Sequence, residues 1–197
     1  MKKNIFKNKK VGFTLIEMLV AVLVFSIIIV SISGIFIFSV KEQRKLLNNQ
    51  ILLDQVSYAL EYMSRALRMG IKQSSELPSC LDYEGQNYKV YESGGTIRIR
   101  FINALQDNDC QEFYLENNQI MQAKGIINSA TPTVINLTSS GYVKINSLKF
   151  NVSGESQEDY LQPRVTFSIE AEPVGGNLKT PLKIQTTITQ RTLDIQL

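Results

Sequence analysis

The sequence predicts an α+β fold in which one long N-terminal helix packs on a mainly antiparallel β-sheet head. Two observations indicate the helix: residues 18–40 carry no charged side chain, and apolar residues then recur at helical spacing as far as residue 67. A third observation indicates the head. From residue 71 onward, apolar and polar residues alternate with a period of two, which is typical of strands that bury one face.

The first element is a short basic leader, residues 1–12. It holds five of the 21 basic residues of the chain, namely Lys2, Lys3, Lys7, Lys9 and Lys10. The rest of the chain has 16 basic and 18 acidic residues, so the net charge of +3 comes from the leader. No basic patch is left to indicate a nucleic-acid partner. Lysines ahead of an apolar segment favour a cytoplasmic N-terminus.

The second element is the apolar half of the helix, residues 13–40. Its charge-free part has 23 residues, enough to cross a hydrocarbon core of about 30 Å at about 1.5 Å per residue. A cleavable secretory signal and an ordinary single-pass anchor are two alternatives. The apolar run is too long for the first, and neither explains Glu17, because intramembrane carboxylates are costly and usually mark a function.

Residues 10–22, KVGFTLIEMLVAV, resemble the prepilin peptidase recognition motif of type IV pilins and type II secretion pseudopilins. In that motif a basic leader ends in Gly, an aromatic residue follows, and Glu is the fifth residue of the apolar run. Gly12, Phe13 and Glu17 occupy these positions. The resemblance implies a pilin fold, cleavage between Gly12 and Phe13 by prepilin peptidase, and N-methylation of Phe13.

Glu17 is assigned to filament assembly. Where apolar helices pack together, its carboxylate would be buried and would need a partner. The α-amine of Phe13 in an adjacent subunit is the partner that cleavage creates, and N-methylation keeps its charge. The alternative is that Glu17 only complements the dipole of its own helix, which is worth about 0.3–1 kcal/mol.

The third element is the amphipathic half of the helix, residues 41–70. No proline interrupts the chain before residue 78, and Gly70 is the predicted stop. Steps of three and four residues place one apolar stripe on the helix, flanked by Leu60 and Ala66. The stripe is predicted to pack against the head and consists of Leu52, Val56, Ala59, Met63 and Leu67.

The fourth element is the head, residues 71–197. Residues 96–101 and 142–150 are predicted strands, and residues 112–124 a hairpin with its turn at Asn117 and Asn118. Residues 163–173 and 181–195 form a second predicted hairpin. Loops are predicted at residues 74–79, 92–95, 128–132 and 154–159.

Cys80 and Cys110 are the only cysteines. In a head outside the cytoplasm they are a candidate disulfide. Two buried free thiols, behaving as small hydrophobic side chains, are the alternative.

The sequence offers no catalytic site. It has no histidine, and it lacks the G-x-S-x-G, Walker A and H-E-x-x-H motifs. Two acidic groups could attract calcium, although neither fits an EF-hand and acidic loops are usually solvated. No cofactor, metal site or enzymatic activity is therefore predicted. The two groups are Asp107, Asp109 and Glu112, and Glu155, Glu158 and Asp159.

The function predicted from these elements is that of a minor pilin or pseudopilin in a type IV pilus or a type II secretion pseudopilus. Its partners would be prepilin peptidase, other pilins and the cytoplasmic membrane, with the head outside the cytoplasm. The segment order of the head loosely resembles the J class of minor pseudopilins. A pilus-tip binding module, either an adhesin or a DNA-uptake receptor, is the alternative, and a membrane-anchored domain that never assembles is a third.

Overall fold

The computed structural model of the chain describes residues 12–77, 79–126, 131–155, 161–175 and 181–192. The chain forms two compact units, Met1–Lys45 and Leu46–Leu197. Helix α1 (Leu15–Arg68) contributes residues to both units, and the second unit also contains nine strands within its described residues. The predicted α+β class, with one long N-terminal helix followed by antiparallel sheets, is confirmed.

The strands form two antiparallel sheets. In the first sheet the order is β1-β3-β4-β5-β6, and β1 and β2 share one edge of β3. In the second sheet the order is β7-β8-β9. The bounds are β1 (Gly70–Ile71), β2 (Tyr88–Ser93), β3 (Thr96–Asn103), β4 (Asp109–Glu116), β5 (Gln119–Lys124), β6 (Thr133–Asn136), β7 (Val143–Ser153), β8 (Arg164–Pro173) and β9 (Leu182–Thr189).

The helical stripe packs in the core of the second unit, as predicted. All five stripe residues are buried, and Leu60 and Ala66 are partly buried beside them. Burying each larger apolar side chain stabilises the fold by about 1.5–3 kcal/mol. The stripe shares its core with apolar residues of both sheets, including Tyr88, Ile99, Phe101, Phe113, Ile120, Val143, Ile145, Val165, Phe167 and Ile169.

The turn between β4 and β5 is the one predicted from its two asparagines. Asn117 and Asn118 have φ angles of 50° and 60°, and such positive values suit the type I′ turn of a two-residue hairpin. Asn118 also joins the sheets: its carbonyl accepts the Ile145 N–H at 3.0 Å, and its side-chain amide donates to the Ile145 carbonyl at 3.1 Å.

Four details differ from the sequence prediction. The helix ends at Arg68, and Gly70 belongs to β1 because it pairs with Asn103. Residues 92 and 93, expected in a loop, extend β2, so that the turn is confined to Gly94 and Gly95, where both φ angles are positive. Strands β2 and β6 were not predicted. The predicted strands at residues 96–101 and 142–150 and the hairpin at residues 112–124 are present. Strands β8 and β9 pair as the second hairpin predicts, but β9 ends at Thr189 and not at residue 195. Residues 128–130 and 156–159 of the predicted loops lie outside the described residues.

Candidate processing and assembly segment

The candidate site begins just ahead of α1. Gly12, Phe13 and Thr14 precede the first helical residue, and all three are exposed. Phe13 has 83% of its surface exposed. A Cβ added to Gly12 would meet no atom within 4 Å. The Gly12–Phe13 bond therefore lies ahead of the helix in an exposed segment.

Thr14 and Glu17 form a capping box at the start of the helix. The Thr14 N–H and hydroxyl each donate to the Glu17 carboxylate at 3.1 Å, and the Glu17 N–H donates to the Thr14 hydroxyl oxygen at 3.4 Å. These bonds satisfy two of the N–H groups that a helix N-terminus leaves unpaired. The T-x-x-E spacing was visible in the sequence, but the prediction considered only the helix dipole and an intersubunit partner for Glu17.

The apolar part of α1 lies wholly at the surface of its unit. Every described residue from 13 to 39 is exposed. Its length and composition are sufficient to cross a membrane. Three of its four serines bond to the helix itself, because the hydroxyls of Ser26, Ser31 and Ser33 donate to the carbonyls of Val22, Ile27 and Ile29 at 2.8–2.9 Å.

The two cysteines are joined, as the sequence indicated. Cys80 and Cys110 form a disulfide with their Cα atoms 5.7 Å apart. The bridge fixes the segment before β2 to strand β4 and lies in a small second core with Leu81 and Ile102. Gln73 organises the same segment, because its side-chain oxygen accepts the N–H groups of residues 80 and 81 at 3.0 and 3.2 Å.

In the first acidic group, Asp109 and Glu112 bond to different partners. Both carboxylate oxygens of Asp109 accept the Gly125 N–H, at 3.0 and 2.9 Å. Glu112 is buried and engages Arg98, Arg100 and the Tyr91 hydroxyl. In the second group, Glu155 accepts the Tyr88 N–H at 3.3 Å, and residues 158 and 159 lie outside the described residues. Within the described ranges no three such ligands are grouped for a metal.

Glu112 is the centre of a charged and aromatic cluster that sequence reasoning missed. Arg100 lies directly across from Glu112 on β3, and Arg98 lies across from Tyr114 with its guanidinium 3.9 Å from that ring. Burial and the Glu112 carboxylate raise the pKa of the Tyr91 phenol. Because side chains alternate between the two faces of a strand, Arg98 and Arg100 lie on the same face of β3. That both contact Glu112 depends on the register between β3 and β4.

The N-terminal segment matches a known family. Residues 7–33 fit the family described as the prokaryotic N-terminal methylation motif. No curated protein and no solved structure matches the chain. The match contains Gly12, Phe13 and Glu17, so the residues chosen from the sequence lie within it. Residues 7–33 thus carry a prepilin-type N-terminal methylation motif, and this motif supports a type IV pilin-like protein.

Proposed function

We infer that the chain is a minor pilin or pseudopilin, a structural and non-enzymatic subunit of a type II secretion pseudopilus or a type IV pilus. The observation that carries this proposal is the order of three features at the N-terminus. An exposed Gly12–Phe13 bond is followed by a capping box and then by an uncharged helical surface with every side chain exposed. A soluble monomer would gain nothing from exposing that surface, whereas a membrane or a bundle of similar helices covers it.

The proposed life cycle starts in the cytoplasmic membrane. The leader lysines keep the N-terminus inside, and the helix crosses once, which places the disulfide-bonded head in an oxidising compartment. Prepilin peptidase then cleaves between Gly12 and Phe13, and the new amine of Phe13 is methylated. Cleavage removes the five lysines that hold the leader at the cytoplasmic face.

Glu17 has two successive partners in this proposal. In the single subunit its carboxylate is held by Thr14 of its own chain. In the filament, where packed helices exclude water, it pairs with the α-ammonium of Phe13 in a neighbouring subunit. Removing one member of a buried ion pair typically costs about 3–5 kcal/mol, and this penalty favours subunits that enter in the correct register.

The intact mass of the protein recovered from membranes of its native host tests the proposal. We expect a chain that begins at Phe13 and carries one added methyl group. A Gly12→Val variant serves as the matched control and should keep its leader, because a branched side chain then occupies the cleavage position. A wild-type chain that still begins at Met1 would contradict the proposal.

A pilus-tip binding module remains the second candidate because of the cluster around Glu112. Lys89, Arg98 and Arg100 lie beside Tyr91 and Tyr114 on one face of the first sheet. Cations interleaved with aromatic rings can bind single-stranded nucleic acid, and Glu112 reduces the charge available. Fluorescence anisotropy with labelled single-stranded DNA at low and high salt tests this candidate, and an absence of binding at low salt would remove it.

A further inference from the structure

A second candidate site lies within the second unit, beside the last turns of α1. A cavity of about 240 Å³ opens between the helix, strands β3–β5 and the loop after β3. Tyr58, Tyr62 and Ala66 form its helical wall, and Leu105, which is 72% exposed, forms the opposite rim. The loop that carries this leucine also contains Asp107 and Asn108 with φ angles of 51° and 56°, a conformation that Asp and Asn adopt more readily than other residues with a side chain.

The floor of the cavity is made of buried amide side chains. Asn103, Gln111 and Gln122 come from three adjacent strands, and each has less than 5% of its surface exposed. The amides of Asn103 and Gln122 donate to the Gln111 oxygen at 3.3 and 3.0 Å, and the Tyr62 hydroxyl donates to the Gln122 oxygen at 2.8 Å. Such a network fixes the direction of every group in it.

The side chains of this network can make further hydrogen bonds, both as donors and as acceptors. An amide nitrogen carries two hydrogens, and among the described residues each of the three nitrogens donates only one. An amide oxygen accepts two bonds, and those of Asn103 and Gln122 each accept one. The charged residues at the rim, Glu61 and Arg65, pair with each other. The floor therefore matches an uncharged group that both donates and accepts.

The volume of the cavity indicates whether it can hold a complete small-molecule ligand or only one chemical group of a larger partner. A water molecule occupies about 30 Å³, and sites for small-molecule ligands usually begin at about 300 Å³. A volume of about 240 Å³ lies between these values. It suits one chemical group that projects from a larger partner, and the exposed Tyr58 and Leu105 at the mouth can contact apolar parts of that partner.

We propose that this cavity is a docking site for an uncharged amide of a protein partner, either a side-chain carboxamide or a peptide group in an exposed loop. The amide would complete the hydrogen bonds of Gln111 and Gln122, while its flanking side chains pack on the rim. This proposal concerns the second unit alone and does not depend on cleavage or filament assembly.

The test uses the full chain, ¹⁵N-labelled in detergent micelles, with the side-chain amide signals of Asn103, Gln111 and Gln122 followed by NMR. Three probes are titrated: N-acetylalanine amide as the uncharged peptide group, acetate as an anion, and N-acetylglucosamine as a sugar. We expect saturable shifts with the peptide probe. Ala66→Leu, which fills the cavity, should weaken this binding by about tenfold or more, the loss of at least one hydrogen bond.

Ser57→Leu is the matched control, because it adds the same side chain to an exposed position of the helix outside the cavity. It should bind the peptide probe as the wild type does. If Ala66→Leu fails to fold, Gln122→Met replaces it, since it keeps the side-chain length and removes the amide. Saturable shifts with acetate or the sugar, but not with the peptide probe, would overturn the proposal. So would the absence of saturable shifts with all three probes.

Discussion

The hydroxyl of Tyr88 donates a hydrogen bond of 2.7 Å to the carbonyl oxygen of Leu67. Leu67 is in the last turn of α1, where carbonyls have no partner within the helix, and Tyr88 opens β2. The ring reaches this carbonyl because Gly70 lies beneath it without a side chain. A Cβ added to Gly70 would lie 2.7 Å from the tyrosine oxygen and 2.8–2.9 Å from two ring carbons.

Gly70→Ala should therefore destabilise the head. The new methyl group displaces a fully buried ring, and overpacking of this kind usually costs about 1–3 kcal/mol. Urea unfolding of the purified chain measures the change. Gly141→Ala is the control, because a Cβ there meets only the Ser139 hydroxyl, at 3.9 Å, and its effect should stay within about 0.5 kcal/mol. Equal stability of Gly70→Ala and wild type would contradict the role given to this glycine.

Two parts of the fold were predicted correctly from the sequence. The helical stripe was predicted in full because it depends only on spacing within one helix, and Leu52 and Leu67 are buried as expected. The turn at Asn117 and Asn118 was predicted because those two residues tolerate positive φ. In both cases the determining physics is local, so the residues that decide the structure are neighbours in sequence.

The remainder depends on contacts between distant residues. Gly70 was assigned as a helix stop, whereas its real constraint comes from a ring 18 positions later. The salt bridge between Arg100 and Glu112 depends on a register that neither strand specifies alone. In the N-terminal segment Gly12, Phe13 and Glu17 follow from a motif and stay predictions as site residues. The bonds between Thr14 and Glu17 were not predicted, although both residues are close in sequence.

Removal of the disulfide should lower the stability of the head. Cys80 and Cys110 are separated by 30 positions, and closing a loop of that length is worth about 3–4 kcal/mol in the chain-entropy model. Urea unfolding with and without reductant should show a loss of this order in the wild type. A double variant, Cys80→Ala with Cys110→Ala, should be equally destabilised and unaffected by reductant. A reductant effect on the double variant would mean that the loss does not come from the bridge.

Ionisation of the Glu155 carboxyl group should lower the free energy of unfolding of the head as the pH rises. Burial raises the pKa of its carboxyl group, against the lowering caused by hydrogen bonds from the Tyr88 N–H and the Gln86 side chain. An acid with a higher pKa in the folded state stabilises folding at low pH, and this stabilisation is lost as the pH rises through the folded pKa.

Glu155→Gln removes that dependence while keeping an oxygen that can accept the Tyr88 N–H. We expect the variant to be more stable than wild type at pH 7, by less than about 1 kcal/mol because the group is partly solvated. The two proteins should become alike below pH 4.5, the ordinary pKa of the group. Urea unfolding at both pH values measures this, with Glu76→Gln as an exposed control. A destabilised variant at pH 7 would show that the charge itself holds the fold.

Substitutions of Thr14 test whether the capping box stabilises the start of α1. Thr14→Val keeps the shape of the side chain and removes the hydroxyl, so the first turn of α1 should lose about 0.5–2 kcal/mol. Thr14→Ser keeps the hydroxyl and should behave as the wild type. Amide hydrogen exchange of residues 15–17 in micelles measures the difference. Equal exchange in both variants would mean that the hydroxyl does not stabilise this end of the helix.

Glu17→Gln separates the two roles that Glu17 has in the proposed function. A glutamine at this position of a capping box can still accept the Thr14 N–H, so the start of the helix should remain protected. It carries no charge, however, and would leave the Phe13 α-ammonium of a neighbouring subunit buried without its partner, at a cost of about 3–5 kcal/mol. We expect a protein that is cleaved and methylated by intact mass, but whose share in sheared filaments, measured by immunoblot against the membrane fraction, falls by more than about 100-fold. Normal incorporation of Glu17→Gln would assign Glu17 to the capping box alone, because the hydrogen bonds to Thr14 would then be its only necessary contribution.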